Sequence, residues 1–187
     1  MSVGRRAAFG TPTHLPGWAA PAAVVVVLAV QPALDRLDPE AQFLQFGLVD
    51  WIGHLATGVV LVALLQPKLR VAVAILVGSV VIDLDHVPLE LGTDVLTGDA
   101  PRPYTHSFVT PLVVLAVAAA ARSEVALGLA IGLVGHLARD LGGGDVLLLW
   151  PLSAQQESVP FWVYVVVLAL TAATAAARRT ARRTPGR

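Results

Sequence analysis

Apolar blocks follow one another along this chain, each too long and too continuous for the interior of a soluble domain. Six can be marked, over residues 18–34, 48–65, 69–82, 107–121, 124–141 and 159–177. A bilayer core about 30 Å thick takes roughly 20 mainly apolar helical residues. The blocks approach that length, the third and fourth by borrowing from their flanks. Apolar residues make up 56% of the chain and charged residues 14%, against about a quarter charged in a soluble globule. No ten-residue alternation of the barrel type occurs. Val and Ala dominate the blocks, and both are acceptable in helices where lipid forces the backbone to satisfy itself. The expected fold is all-α, a polytopic transmembrane helix bundle of about six spans.

Basic residues orient such a bundle. Arg5, Arg6, Lys68, Arg70, Arg122, Arg178, Arg179, Arg182, Arg183 and Arg187 fall on one side of a six-span arrangement, and only Arg36, Arg102 and Arg139 on the other. Both termini are therefore expected in the cytoplasm of a bacterial inner membrane. Residues 1–17 form a cytoplasmic tail, 18–177 the membrane-embedded domain and 178–187 a basic cytoplasmic tail. Arg5 and Arg6 before an apolar run also fit a signal peptide. No small-x-small cleavage site stands near Gln31 or Pro32, so the first block is read as a retained helix. The long connections, 35–47, 83–106 and 142–158, lie outside, which is where function is expected on such a scaffold.

A formal net charge of +0 says nothing about a nucleic-acid partner, but no basic aromatic surface appears, and no such partner is expected. There is no cysteine, so disulfides and thiolate metal sites are excluded, and any metal must be held by His, Asp or Glu. Five histidines are present. His14 lies in the N-terminal tail, and the other four each sit in a polar cluster: Asp50-Trp-Ile-Gly-His54, Asp83-Leu-Asp85-His86, Arg102-Pro-Tyr-Thr-His106-Ser107 and His136-Leu-Ala-Arg-Asp140. In a six-span bundle all four reach the outer side.

The local spacing suits ligation. His136 and Asp140, four apart on a helix, share a face, as do Asp50 and His54, which can be a ligand with its orienting carboxylate. Asp83 and His86 are three apart. Pro88 disfavours helix at Val87, so that helix is expected to end there and free Asp85 and His86 to turn. Each cluster also has a plainer reading. His54 can be a packed histidine, Asp83 and Asp85 polar helix ends, and Thr105 and Ser107 caps of the fourth helix. The His136/Asp140 pair is the strongest, because ionisable groups within a span are costly and usually functional. Gly128, Gly132 and Gly135 have the small-residue spacing that lets helices approach closely. Gly142-Gly-Gly144 reads as a flexible exit from the fifth block, with no nucleotide-binding signature. Trp51, Trp150 and Trp162 are expected as interfacial anchors.

With these residues marked, the chain resembles the bacterial inner-membrane family of metal-dependent hydrolases, also described as LexA-binding, inner-membrane-associated hydrolases. The likeness covers about half the chain, roughly residues 53–152. It rests on the order Gly-His54, Asp83-Leu-Asp85-His86, Arg102-x-x-Thr-His106-Ser107, Gly-x-x-x-His136-x-x-x-Asp140 and Leu149-Trp150-Pro151. The resemblance implies a membrane-bound metal hydrolase with phospholipase-like activity. Two departures stand out: Pro101 occupies the place of a family histidine before Arg102, and Gly-Gly-Gly replaces a Thr-Pro after Asp140.

The chemistry expected is one or two divalent ions, zinc by default, held by His54, Asp83, His86, His106, His136 and Asp140. More candidates than the three protein ligands of one catalytic zinc favour two ions. Asp85 would bridge or orient, and Asp85 or Asp50 would take a proton from metal-bound water. Arg102 and Arg139 would grip a phosphate; Arg139 also reads as a partner for Asp140. A depth roughly 9 Å from the outer end of the second helix, at 1.5 Å per residue, points to a membrane lipid or lipid-linked substrate. A metal or proton transporter should carry polar residues through the whole depth and an internal repeat, and neither is found. A structural metal clamp predicts closed ligation with no open position.

Overall fold

The computed structural model describes residues 12–34, 36, 43–98, 100, 102–144 and 146–183. Among them the chain is all helical: α1 (Ala19–Leu34), α2 (Phe43–Leu65), α3 (Leu69–Gly78), a 3₁₀ turn (Val81–Asp85), α4 (His86–Glu90), α5 (Val109–Ala121), α6 (Glu124–Gly143) and α7 (Phe161–Arg183). Two isolated β-bridges, Pro12 with Lys68 and Val146 with Glu157, are the only extended pairings among the described residues.

Every apolar block is helical, but the helices are unequal. Three segments are long and apolar enough to cross a membrane: Gly47–Leu65, Glu124–Gly143 and Phe161–Arg182. A fourth span results if α3 and the segment Val81–Pro88, bent by 44° from it, are counted as one broken crossing. α1 and α5 are shorter apolar helices of 16 and 13 residues. The departure from six equal spans lies in where helices stop. α3 ends at Gly78, not near residue 82, because Ser79 turns its hydroxyl back to the Ile75 carbonyl (2.8 Å) and the chain tightens into a 3₁₀ turn. Nor does Pro88 end a helix at Val87: a new one starts at His86, and Pro88 sits in its first turn, where a missing N–H costs nothing.

Small residues set the packing. Along α1, Ala20, Ala23, Val27, Val30 and Leu34 form a buried stripe at alternating spacings of three and four, the neighbour spacing of one helix face. Ala20, Ala23 and Val27 of that stripe meet Ala56, Val60 and Ala63 of α2 and Tyr164, Leu168, Ala172 and Ala175 of α7 in one apolar cluster. α3 lies against α6 closely enough that a Cβ on Gly132 would fall on the Ile75 carbonyl, and one on Gly78 on the Leu129 carbonyl. Such backbone contact gives helices in lipid their association through dispersion and not through hydrophobicity. The expected roles of Gly128, Gly132 and Gly135 hold, since each faces Val71, Ile75 or Leu61.

Ser123 caps α6 by accepting from Ala126 N–H (3.2 Å). At this end Lys68 and Arg70 both bind Glu124 (2.8 Å each). α6 then runs on through Gly142 and Gly143, so these glycines are helix and not a flexible exit. Gly142 leaves the slot that the Tyr164 ring fills. From Glu124 to His136 is twelve residues, about 18 Å at 1.5 Å per residue, so His136 lies toward the end of the bundle opposite the Lys68–Glu124 pairs.

Candidate metal centre

Four separate segments deliver the polar clusters to this end of the bundle: α2 brings His54, the 3₁₀ turn Asp83 and Asp85, the run before α5 His106, and α6 His136 and Asp140. His54, His106 and His136 are fully buried. The break after α3 is what brings the turn here. A helix end leaves carbonyls without intrahelical partners, and in lipid such groups need partners from elsewhere. The Ser79 carbonyl accepts from Nδ1 of His136 at 2.9 Å.

That bond fixes the chemistry of His136. A carbonyl only accepts, so Nδ1 carries the proton and Nε2 presents a lone pair. In the same way Nδ1 of His106 donates to Asp85 Oδ2 (3.1 Å), which turns its Nε2 toward His136 Nε2 at 3.3 Å. Two lone pairs at that separation repel unless a proton or a cation stands between them. Asp83 Oδ1 lies 3.4 Å from His106 Nε2 and 3.2 Å from His136 Nε2. Asp140 Oδ2 lies 3.5 and 3.1 Å from the same two nitrogens. Zinc bonds to imidazole and carboxylate run about 2.0–2.2 Å, and a tetrahedron of that size has edges of about 3.3–3.6 Å. Of the five separations, 3.3, 3.4 and 3.5 Å fall within those edges and 3.1 and 3.2 Å just below them. Asp140 Oδ2 and Asp83 Oδ2 are moreover buried and accept no hydrogen bond. The donor set therefore fits a divalent ion.

Without a cation the gap falls to a proton. Burial weighs against charging His106, but its hydrogen bonds to Asp83 and Asp85 and the charge of Asp140 outweigh it and raise its pKa.

Two expected ligands stand beside this point. His54 stacks on His136 (centroids 3.8 Å apart, 8° between planes) and directs Nε2 at the other oxygen of Asp140 (3.2 Å) and at Asp50 Oδ2 (3.3 Å). His54, His136 and Asp140 nevertheless offer three atoms within 4.8 Å of one another, as do Asp85, His86 and His106. His86 faces Asp85 Oδ1 through Nδ1 (3.0 Å). Asp83 and His86, expected to act from one face, thus serve different neighbours.

The arginines pair differently from the expectation that set Arg139 beside Asp140. Arg102, partly exposed, forms the ion pair with Asp140 (3.5 Å) at the mouth of the cluster. Arg139 is buried behind it, bound to Asp50 (3.1 Å) and Gln31 (3.0 Å) and set over the Phe161 ring. It does not pair with Asp140. Gly53 and Gly143 leave the room its guanidinium fills, which explains the glycine before His54. Thr105 and Ser107 do not cap α5: its N-cap is Phe108, Thr105 donates to Asp85, and the Ser107 hydroxyl is buried without a hydrogen bond. Trp150 stacks on Tyr104 (4.8 Å) and precedes a cis proline. Pro101 lies outside the described residues. Ser79 and Gln31 were missed in the sequence. Their signal was being polar within apolar helical segments.

The family model of the YdjM inner membrane proteins matches residues 49–186. That description agrees with the inner-membrane resemblance and does not mention metal or hydrolysis. No curated protein and no solved structure matches the chain significantly.

Proposed function

From a chain that belongs to the YdjM inner membrane protein family, we propose a membrane-bound metal-dependent hydrolase acting on a phosphoester of a lipid or lipid-linked substrate. The observation that carries this is the convergence of His106 Nε2, His136 Nε2, Asp83 Oδ1 and Asp140 Oδ2, with five separations of 3.1–3.5 Å between them, close to those between ligands of one metal ion. Zinc is the ion that His and Asp donors hold by default for hydrolysis. His54 and Asp50 stand ready for a second ion on the far oxygen of Asp140, or else orient that carboxylate. A bound ion supplies a water acidic enough to ionise near neutral pH and a counter-charge for developing oxyanions.

The remaining groups have roles of their own. Asp85 holds His106 in its ligating tautomer and faces His86. With Nδ1 against Asp85, His86 is left with Nε2 as a basic nitrogen at the half-open mouth, suited to accept a proton. Arg102 reaches the mouth and binds a phosphate through paired N–H groups. In this reading six spans cross the inner membrane, both termini are cytoplasmic, and the cluster opens to the extracytoplasmic face. The excess of basic residues at the opposite end supports that orientation.

A structural metal clamp has one observation in its favour. Four protein atoms converge there, whereas catalytic zinc usually has three protein ligands and keeps a position open. Elemental analysis of the detergent-purified chain tests both readings. We expect one or two equivalents of a transition metal, depleted in His136→Ala and Asp83→Ala. A phosphoester-lipid hydrolysis assay on the loaded protein then separates enzyme from clamp. If no metal binds under any loading condition, both readings fail.

A further inference from the structure

We propose that the trench between α5, α6 and α7 seats one acyl chain of the lipid whose head lies at the metal cluster. The proposal rests on the hydrolase reading for the place of the headgroup. The trench itself is read from its shape and walls.

It is a cavity of about 470 Å³. Its floor runs along α6 from Leu127 to Ala138, eleven residues or about 16 Å at 1.5 Å per residue, so it follows the helix axis and not the membrane plane. Its upper end is the back wall of the cluster. Gly135 and Ala138 flank His136, Phe108 follows His106 by two residues, and Thr57 follows His54 by three. The trench thus ends beside the cluster, where the tail of a lipid whose head lies there would run.

The walls decide what kind of tail. Three hydroxyls line the trench, and all three are already bonded within the protein. Thr57 donates to the Gly53 carbonyl (3.0 Å) and accepts from Tyr164 (2.5 Å), and Thr171 donates to the Val167 carbonyl (2.7 Å). A peptide or a hydrated ligand would find no partner along this length, and unpaired polar groups are costly there. The open side is formed by Leu112, Val134 and Val167, all exposed and all facing hydrocarbon in a bilayer. Hydrocarbon is an occupant that neither wall nor surroundings penalise, and an apolar helix of a second copy is the alternative that a chain-to-chain adduct would reveal.

The test uses the full chain in phosphatidylglycerol vesicles carrying a small fraction of phosphatidylglycerol with a diazirine midway along one acyl chain. After irradiation, adducts are mapped by mass spectrometry. We expect them to concentrate on Leu112, Ile131, Val134 and Val167 over the lipid-facing Val25 and Leu28 of α1. Val134→Trp, which fills the trench from its open side, should cut trench adducts about tenfold, with Leu112→Trp as a second filling variant. Val25→Trp should leave them unchanged. Equal labelling of α1 and the trench overturns the proposal, as does trench labelling that survives both fillings or a chain-to-chain adduct at these residues. Metal content is read on the same samples. Intact metal without trench labelling overturns this proposal alone, and trench labelling without metal overturns the hydrolase reading.

Discussion

At the scale of single residues, the centre depends on groups that touch no ligand position. Asp85 holds the Nδ1 proton of His106, and removing such an orienting partner typically weakens metal affinity 10–100-fold. Asp85→Asn should show a loss in that range by chelator competition, with the stoichiometry at saturating metal unchanged. Arg139 makes a different prediction. It neutralises Asp50 inside the bundle, and breaking a buried pair from one side costs roughly 3 kcal/mol or more. Arg139→Leu should lower the thermal midpoint in detergent yet leave substrate affinity unaltered. A raised KM with normal stability would restore it to the mouth. Arg139→Lys should rescue only in part, because one nitrogen can serve Gln31 and Asp50 but an ammonium does not fill the guanidinium's place over the Phe161 ring and between Gly53 and Gly143. The sequence revealed the residue types but not which arginine meets which carboxylate. Spacing along α6 makes Arg139 and Asp140 neighbours, yet successive helical residues point to different faces. One faces the imidazoles and the other α1 and α2, and only the packed bundle decides which arginine meets solvent.

At the scale of elements, α3 and α6 are joined backbone to backbone. Gly132→Leu should separate them, and overpacking of this kind costs about 1–3 kcal/mol. Metal retention should fall with it, because the Ser79 carbonyl and His136 part. Gly47→Ala, where an added Cβ meets nothing within 4 Å, is the control that should leave melting and metal content alone. The helices were legible because apolar continuity and small-residue spacing are local properties, and the small-residue face of α6 could be read directly. The end of α3 was not. Its stop depends on Ser79 bonding back to Ile75 and on α6 receiving the freed carbonyl. Thr105 misled for a related reason: a hydroxyl before a helix is a good cap, but here a buried carboxylate from a distant turn competes and wins.

At the scale of the whole molecule, a cation at the centre would tie α6, the turn after α3 and the run before α5 to one point. Binding to the folded state alone adds about 2.7 kcal/mol at a hundredfold excess over Kd. Chelation should therefore lower the melting temperature, readdition of zinc should restore it, and His136→Ala should be insensitive to both. A chelator without effect on the natural chain would count against any metal. Orientation is open to a separate check. Reporter fusions after residue 183 should be active in the cytoplasm, and fusions within 91–98 only outside it. The gathering of four clusters at one end was foreseeable, since each lies near the same side of an alternating chain. Which four atoms meet was not, because it depends on side-chain rotamers and on the 44° bend.

That bend also bears on how the protein is made. When α3 and its turn have been synthesised, α6 has not, and the Ser79 carbonyl lacks the His136 partner it has in the folded chain. Until residues 124–143 arrive, the broken segment is a half-finished joint. The hydrogen bond to His136 therefore marks the moment of closure, so the act that completes the bundle is the same act that arms the centre.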